Sequence, residues 1–183
     1  HCQIAEIAAI LSLCGRIQIS GDDHYSIKIH TENVTVARKC FTLLRKTFNI
    51  ETKIFVRENS HLKRVKVYTI EITDPEEIQV IFQALRLVTN SIDQGTLVLS
   101  DMLVVQQNCC KRAFIRGAFL ASGSISDPEK GYHFEIVCSD AKRAEQLQTI
   151  IRSFSVDAKI VQRKKSHVVY VKEGAQIVDM LAV

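Results

Sequence analysis

Chemistry in this chain would first be sought at Cys14 and Ser122, two side chains that each precede a glycine at the end of an apolar stretch. A divalent ion such as Mg²⁺ or Ca²⁺ would require hard anionic oxygens from these side chains. A thiol and a hydroxyl are poor ligands for these ions, and the serine does not lie in the G-x-S-x-G elbow that would expose it as a nucleophile. We therefore predict no catalytic residue at either position and interpret both side chains as parts of a core or a turn.

The spacing of cysteine and histidine does not indicate a metal or cofactor site. The six cysteines include no CxxC pair and no zinc-finger spacing, and the histidines are scattered over predicted strands and turns. The chain also lacks a P-loop and a G-x-G-x-x-G segment, so no nucleotide site is indicated. We predict no cofactor, no metal ion and a reducing, cytosolic compartment.

Basic side chains are the remaining chemical signal. The formal net charge is +4 and the pI is near 8.7, which permits nucleic-acid contact without requiring it. In residues 53–57 the alternation of a strand puts Ile54 and Val56 on one face of the sheet and Lys53 and Arg57 on the other. Lys159 and Arg163 occupy the equivalent face in the second copy. Such a face either binds phosphates in a weak and salt-sensitive way or is simply solvated, and Glu135 on the same face argues against a uniformly basic groove. The candidate DNA-contacting residues are Lys28, Lys53, Arg57, Lys63, Arg64, Lys66, Lys159, Arg163 and Lys165.

The chain contains an internal repeat. Residues 2–17 share five identities with residues 110–125 at an offset of 108, and residues 48–61 resemble residues 154–167 at an offset of 106. Matches in one order, with small drifts in register, are the mark of a duplicated structural unit. The predicted organisation is a first repeat over 1–87, a linker over 88–108 and a second repeat over 109–183.

Each copy shows the same order of predicted elements, which is helix, hairpin, helix, hairpin and helix, and this order gives an α+β fold with antiparallel sheets. The first helix of each copy ends at Gly15 or Gly123, which we expect in the left-handed conformation. Asn33 and Asp140 are expected to cap the second helix. The predicted helices cover about 3–14, 33–48, 110–122 and 140–154, with third helices from Pro75 and Gly174, and the predicted strands cover 16–20, 25–30, 51–57, 65–72, 124–126, 132–138, 157–163 and 167–172.

Small residues recur at every fourth position of the first helix in both copies. This spacing makes a flat stripe on one helix face, and two such stripes allow two helices to cross at a short distance. The alternative is a core helix that is merely rich in alanine. The stripe residues are Ala5 and Ala9 in the first copy and Ala113, Gly117 and Ala121 in the second.

The two segments IAAILSLCG (7–15) and IRGAFLASG (115–123) resemble LAGLIDADG motifs. The resemblance implies a pseudo-two-fold homing-endonuclease-like fold, in which two such helices form the central interface and two antiparallel sheets make a saddle over DNA. In the nucleases of that family, the residue before the last glycine is an acid that holds metal. Cys14 and Ser122 occupy those two former acid positions here, so the chain is not expected to cut DNA.

The segment CCKRAFIRGAFLASGSISDPEKGYHFEI (109–136) closely resembles the WhiA family of bacterial transcription regulators, and the likeness extends over nearly the whole chain. It implies a non-catalytic domain of a regulator of sporulation and cell division, cytoplasmic and nucleoid-associated, monomeric and with double-stranded DNA as partner. WhiA proteins continue into a helix-turn-helix domain that supplies most DNA binding; no such segment occurs in these residues. The alternative is a protein-interaction scaffold without DNA contact, docking transcription machinery such as a sigma factor. No apolar run is long enough to span a membrane.

Overall fold

The computed structural model describes residues 1–20, 24–59, 65–89, 95, 97–126 and 133–183, and these form an α+β fold made of two similar halves. Each half contains one four-stranded antiparallel sheet with helices packed against one of its faces. The pseudo-two-fold duplication predicted from the repeat is therefore present, and the two halves meet along their first helices.

The first half follows the predicted order of elements. Its sheet has the strand order β1-β2-β4-β3, with every neighbouring pair antiparallel. The elements are α1 (Cys2–Cys14), β1 (Gly15–Ser20), β2 (His24–Thr31), α2 (Val34–Phe48), β3 (Lys53–Asn59), β4 (Val65–Ile72) and α3 (Pro75–Leu85).

A short segment joins the halves and adds a small sheet that the sequence did not indicate. Strands β5 (Leu87–Thr89) and β6 (Leu97–Leu99) pair antiparallel, and a 3-10 helix follows at Leu103–Val105. The guanidinium of Arg143, which is 4% exposed, donates from Nε to the Leu97 carbonyl at 3.2 Å. This buried contact fixes the joining segment to the second half.

The second half repeats the topology of the first, with the strand order β7-β8-β10-β9. Its elements are α4 (Asn108–Ser122), β7 (Gly123–Ile125), β8 (Phe134–Cys138), α5 (Ala141–Arg152), β9 (Lys159–Arg163), β10 (Ser166–Val171) and α6 (Gly174–Ala182).

The ends of the helices follow the sequence in part. The side chains of Asn33 and Asp140 accept hydrogen bonds from backbone amides of α2 and α5, at 2.8 Å and 3.0 Å, which confirms both predicted caps. The expected left-handed turn after α1 and α4 is wrong, because Gly15 and Gly123 have φ of −80° and −87° and are extended. The chain passes directly from helix to strand at each glycine, and a Cβ at Gly15 would lie 2.4 Å from the Leu11 carbonyl oxygen. Steric crowding, and not a positive φ, accounts for these two glycines.

The core lies between the sheets and the helices. In the first sheet Ile27, Ile29, Ile70 and Ile72 all point toward the helices and are almost fully buried. Helix α1 is buried on nearly all sides, since it packs against both its own sheet and α4. Among the residues that the structure describes, no helix packs against the opposite face of either sheet, and these two sides are called the first and the second saddle face below. Within the described residues, no helix has the length and apolarity required to cross a membrane.

Candidate nucleic-acid interface and the central helices

The central helices α1 and α4 make the most extensive contact between elements in the described part of the chain. Gly117 lies at the crossing, where an added Cβ would stand 2.5 Å from the carbonyl oxygen of Glu6 and 3.1 Å from the Cβ of Ala9. Ala5 and Ala113 are fully buried in the same contact region. The small side chains at these positions therefore allow the two helix backbones to approach closely.

The lower ends of the two helices bring together the positions that carry acids in LAGLIDADG nucleases. The thiol of Cys14 contacts the carbonyl oxygen of half-buried Ala121 at 3.6 Å, across the interface between the halves. Burial raises the pKa of the Cys14 thiol, and the nearby Arg16 only partly opposes this effect. Ser122 has a buried hydroxyl with no hydrogen-bond partner among the described residues. A neutral thiol and a hydroxyl offer no anionic oxygen to a divalent ion.

The first saddle face carries a groove of about 880 Å³, whose lining includes Lys28, His30 and Arg57 together with Glu58 and Glu71. Strand alternation puts Lys28, Lys53 and Arg57 on this face together with His30. Lys28 forms an ion pair with Glu71 at 3.1 Å, whereas no ion pair is formed by Lys53 or Arg57 with any described residue. The first saddle face therefore carries one paired cation, Lys28, and two cations, Lys53 and Arg57, that have no ion-pair partner among the described residues.

The pKa of His30 reflects the charges that surround this groove. Its pKa is lowered, first because the ring is partly desolvated and then because Lys28, Arg16 and Arg57 repel the imidazolium form. Glu71 acts in the opposite direction and is the smallest of these influences. His30 also makes a hydrogen bond of 3.0 Å to the Thr69 hydroxyl. The field around this side chain is thus net positive.

The second saddle face has a different balance of charge. Glu135 lies at its centre, where it forms an ion pair with Arg163 and a hydrogen bond with Nε2 of His133, both at 2.9 Å. Lys159 is 3.5 Å from the Asp157 carboxylate and remains largely exposed. Two valines on this face are also exposed to solvent. Because its central carboxylate holds the arginine, this face is more neutral than the first.

The structure separates the candidate basic residues predicted from the sequence. Lys66 lies on the helix side of the first sheet, since it pairs with Glu58 and shares the face of the core isoleucines; its assignment to the saddle was wrong. The alternation of β4 gives this directly, because the even-numbered residues of that strand point inward. Lys165 is exposed in the turn between β9 and β10, and Lys63 and Arg64 lie outside the described residues.

The sequence analysis missed three contributors to the first saddle face. Arg16 pairs with Lys28 across β1 and β2 and shares its face. His30 lies in the same groove, and Phe55 is 52% exposed between Lys53 and Arg57. Period-two alternation along β1, β2 and β3 could have found all three, because it puts each of them on the face opposite the core isoleucines.

Comparison with family models covers most of the chain. Residues 1–88 match the WhiA N-terminal LAGLIDADG-like domain, and residues 111–183 match the WhiA LAGLIDADG-like domain. A protein of Lachnoclostridium phytofermentans named probable cell division protein WhiA is 52% identical over 181 residues, which is 99% of this chain and 58% of that protein. The protein of the same name from Alkaliphilus metalliredigens is 39% identical over 98% of this chain and 57% of its own length. The chain thus spans somewhat over half the length of these relatives.

Solved structures with the same fold include both a relative and nucleases. The N-terminal LAGLIDADG domain of DUF199/WhiA superposes with a TM-score of 0.72 at 17% identity, over 99% of this chain and 79% of that one. The homing endonuclease I-DmoI, in a complex with DNA and Mn, superposes with a TM-score of 0.64 at 12% identity, over 97% of this chain and 92% of that one. At these identities the structural match speaks for the fold alone. The duplicated helix motif, the paired sheets and the two family models together show that this chain belongs to the WhiA family, whose N-terminal LAGLIDADG-like region it represents.

Proposed function

We propose that this chain is a non-catalytic DNA-contacting domain of a WhiA-type transcription regulator that controls sporulation and cell division. It binds duplex DNA weakly and with little sequence preference, and the first saddle face makes most of the contact. The observation that carries this proposal is geometric: Arg16, Lys28, Lys53 and Arg57 share one sheet face, where the Glu71 carboxylate is paired with Lys28. The homing endonuclease I-DmoI, which has the same fold, is described in a complex with DNA, and this supports DNA contact as the role of the fold.

The absence of nuclease activity follows from the ends of the central helices. Metal-assisted hydrolysis needs an ion that neutralises the scissile phosphate and activates water. Cys14 remains a protonated thiol against a carbonyl oxygen, and Ser122 offers only a neutral hydroxyl. The chain is therefore expected to leave plasmid DNA intact with Mg²⁺, even at stoichiometric protein. Metal-dependent cleavage that disappears in Cys14→Ala would refute this part of the proposal.

The remaining part of the relatives' length leaves room for a second domain. The chain covers 58% of the relative from Lachnoclostridium phytofermentans. In our proposal, a helix-turn-helix domain outside these residues supplies sequence-selective binding, and this domain adds contacts to phosphates. The whole protein would act as a monomer on the nucleoid in the cytoplasm, with transcription machinery such as a sigma factor as a further partner.

A salt titration tests DNA contact directly. Each phosphate contact on B-DNA contributes about 0.9 to the slope of log affinity against log salt. Replacing Lys53, Arg57, Lys159 and Arg163 with alanine should therefore lower the slope by up to about 3 to 4 and weaken all sequences alike. Binding is measured from low salt upward on two duplexes of unrelated sequence.

A charge-matched variant controls for net charge. Alanine at Arg38, Arg45, Lys46 and Lys66 removes the same charge from exposed positions on α2 and on the helix side of β4. This control should bind almost as wild type does. Equal binding by wild type and the saddle variant at every salt concentration would reject the saddle as a DNA surface.

The second saddle face favours a second candidate function, a protein-interaction scaffold. Val137 and Val161 lie on it with exposures of 38% and 37%, and Glu135 neutralises Arg163 at its centre. Such a mixture of apolar and paired polar groups suits a protein partner better than a polyanion. If the saddle variant and the charge-matched control bind DNA equally, this scaffold function becomes the favoured one.

A further inference from the structure

Four potential metal ligands converge at the upper end of the central helices, away from the former acid positions. His1 and Cys2 lie at the start of α1, and Cys109 and Cys110 lie in the first turn of α4. Their ligand atoms all lie within 4.8 Å of one another. The sequence analysis predicted no metal because no CxxC pair is present, but that argument covers only ligands contributed by one segment of chain. Here each half contributes two adjacent residues.

The distances within this cluster are those of ligands around one ion. The Nδ1 atom of His1 lies 3.2 Å from the sulfur of Cys110, 3.5 Å from that of Cys2 and 3.9 Å from that of Cys109. In a tetrahedral zinc site, with Zn–S of about 2.3 Å and Zn–N of about 2.0–2.1 Å, each N···S edge measures about 3.6 Å. The three observed edges scatter around that value. A tetrahedron with one nitrogen and three sulfurs is a Cys3His site.

Hydrogen bonding to His1 does not account for the position of all three thiols. One ring nitrogen of a neutral imidazole is either one donor or one acceptor, so Nδ1 can satisfy only one of the three thiols around it. The Cys109 thiol has a further acceptor, Oε1 of Gln107 at 3.5 Å, but Nδ1 remains close to more sulfurs than it can bond. A cation at the centre of the four atoms gives every one of them a partner.

The start of α4 at this cluster favours anionic ligands. Among the described residues no side chain caps α4, and this helix has no acidic residue in its first turn; α6, away from the cluster, is the same in both respects. By contrast, Asn33, Asp74 and Asp140 cap α2, α3 and α5. Uncapped helix N-termini present free amides and a positive dipole end, which stabilise thiolates nearby. Thiolates are also the form in which cysteine binds zinc.

We infer that His1, Cys2, Cys109 and Cys110 bind one Zn²⁺ ion that joins the two halves of the domain at the upper end of the central helices. The internal repeat supports this assignment, because the offset of 108 that relates Cys2 to Cys110 also relates His1 to Cys109. Each half thus provides the same two positions, and the pseudo-two-fold axis brings them together. All four ligands come from protein, so the site is closed and structural, not catalytic.

Metal content and cobalt spectra test this inference on the whole 183-residue chain. The protein is purified in a reducing buffer from cells grown with added zinc, and bound metal is measured by mass spectrometry. We expect one zinc per chain. In metal-free protein, Co²⁺ should produce the visible bands of a tetrahedral thiolate complex, and Zn²⁺ should abolish them at one equivalent.

The variants separate ligation from general loss of structure. His1→Ala and Cys109→Ser alter the two exposed members of the cluster, so both variants should retain the fold. Each should lose most of the bound zinc and the cobalt bands. Cys14→Ser is the matched control, since it removes a thiol from the opposite end of α1, and it should bind metal as wild type does.

Thermal stability gives a second readout that does not depend on metal analysis. Binding to the folded state alone stabilises a protein, so a chelator should lower the melting temperature of wild type and of Cys14→Ser by several degrees. The same chelator should leave Cys109→Ser unchanged. The inference is overturned if the wild-type chain binds less than a tenth of an equivalent of zinc. It is also overturned if Cys109→Ser retains the cobalt bands. A disulfide within the cluster, in protein purified in the reducing buffer, would overturn it as well.

Discussion

Gly117 faces the backbone of Glu6 so closely that a Cβ on the glycine would stand 2.5 Å from the Glu6 carbonyl oxygen. The neighbouring obstacle is backbone, which cannot move away as the end of a flexible side chain can. Glu6 is itself held in place, because the residue is only 7% exposed and its carboxylate forms an ion pair with Lys39 at 3.0 Å. The crossing of α1 and α4 is therefore fixed at one point by the lack of a side chain.

Substitution of Gly117 should destabilise the domain. Gly117→Leu should cost about 1–3 kcal/mol or more, because overpacking forces backbone shifts. Gly117→Ala is the more informative variant, since alanine favours a helix by about 1 kcal/mol over glycine and would stabilise an uncrowded site. We expect a lower free energy of unfolding for both variants in denaturant titrations. Gly174→Ala, at the first residue of α6, is the matched control and should change little. A Gly117→Ala variant that is about 1 kcal/mol more stable than wild type would show that the helices do not touch here.

The two serines near the ends of the central helices should respond in opposite ways to alanine. Ser122 has a buried hydroxyl without a hydrogen-bond partner among the described residues, whereas the hydroxyl of Ser12 donates to the Ala9 carbonyl at 2.8 Å. An unsatisfied buried polar group costs about 1–3 kcal/mol, so Ser122→Ala should leave stability unchanged or raise it. Ser12→Ala should lower it by about 0.5–1.5 kcal/mol. Thermal melts of the two variants side by side decide the matter; a clear loss of stability in Ser122→Ala would reveal a partner for its hydroxyl.

The repeat and the strand periodicity were enough to predict the order of helices and strands in each half. The resemblance of the two helix motifs to LAGLIDADG implied how the halves meet. The offsets of 108 and 106 implied two equal units, and the alternation in residues 53–57 gave the correct saddle positions for Lys53 and Arg57. Asn33 and Asp140 were recognised as caps because capping depends on the residue itself and its immediate neighbours. These features are local, or are copied within the chain, so a single sequence contains them.

Features that depend on contacts between distant segments could not be predicted in this way. Whether a basic side chain forms an ion pair depends on the register between strands, which brings Glu71 close to Lys28 and Glu135 close to Arg163. The cluster of His1 with Cys110 depends on how the two helices cross. Lys66 is a different case, since the alternation of β4 was available and was not applied to it.

The two saddle faces should contribute unequally to DNA binding. Lys53 and Arg57 make no ion pair with any described residue, whereas Arg163 is held by Glu135 at 2.9 Å. The double variant Lys53→Ala and Arg57→Ala should lower the salt slope by up to about 2. The double variant Lys159→Ala and Arg163→Ala should lower the slope by less than half as much. A cation that is already paired with a carboxylate neutralises a phosphate less fully, so fewer counterions leave the DNA. Equal slopes for the two double variants would contradict this asymmetry, and Glu135→Gln should strengthen binding by freeing Arg163.

His30 provides a pH-dependent test of the same groove. In the free protein its pKa is lowered by partial burial and then by Lys28, Arg16 and Arg57, so the imidazole is neutral over more of the pH range than usual. Because the folded-state pKa lies below that of the unfolded chain, protonation favours unfolding. His30 therefore removes stability as pH falls from its ordinary pKa toward the lowered one.

Phosphates docked in the first saddle face should reverse this shift. A phosphate adds negative charge beside His30, so the pKa of the ring should rise on DNA binding, and by linkage the affinity for DNA should increase as pH falls through that range. The ring proton shifts of His30, followed by NMR against pH with and without duplex, measure the change directly. Arg57→Ala is the control for the electrostatic cause, since loss of this cation should raise the His30 pKa in the free protein. His30→Gln should retain binding but lose the pH dependence. A His30 pKa that stays the same or falls when saturating duplex is added would place the DNA elsewhere on the molecule.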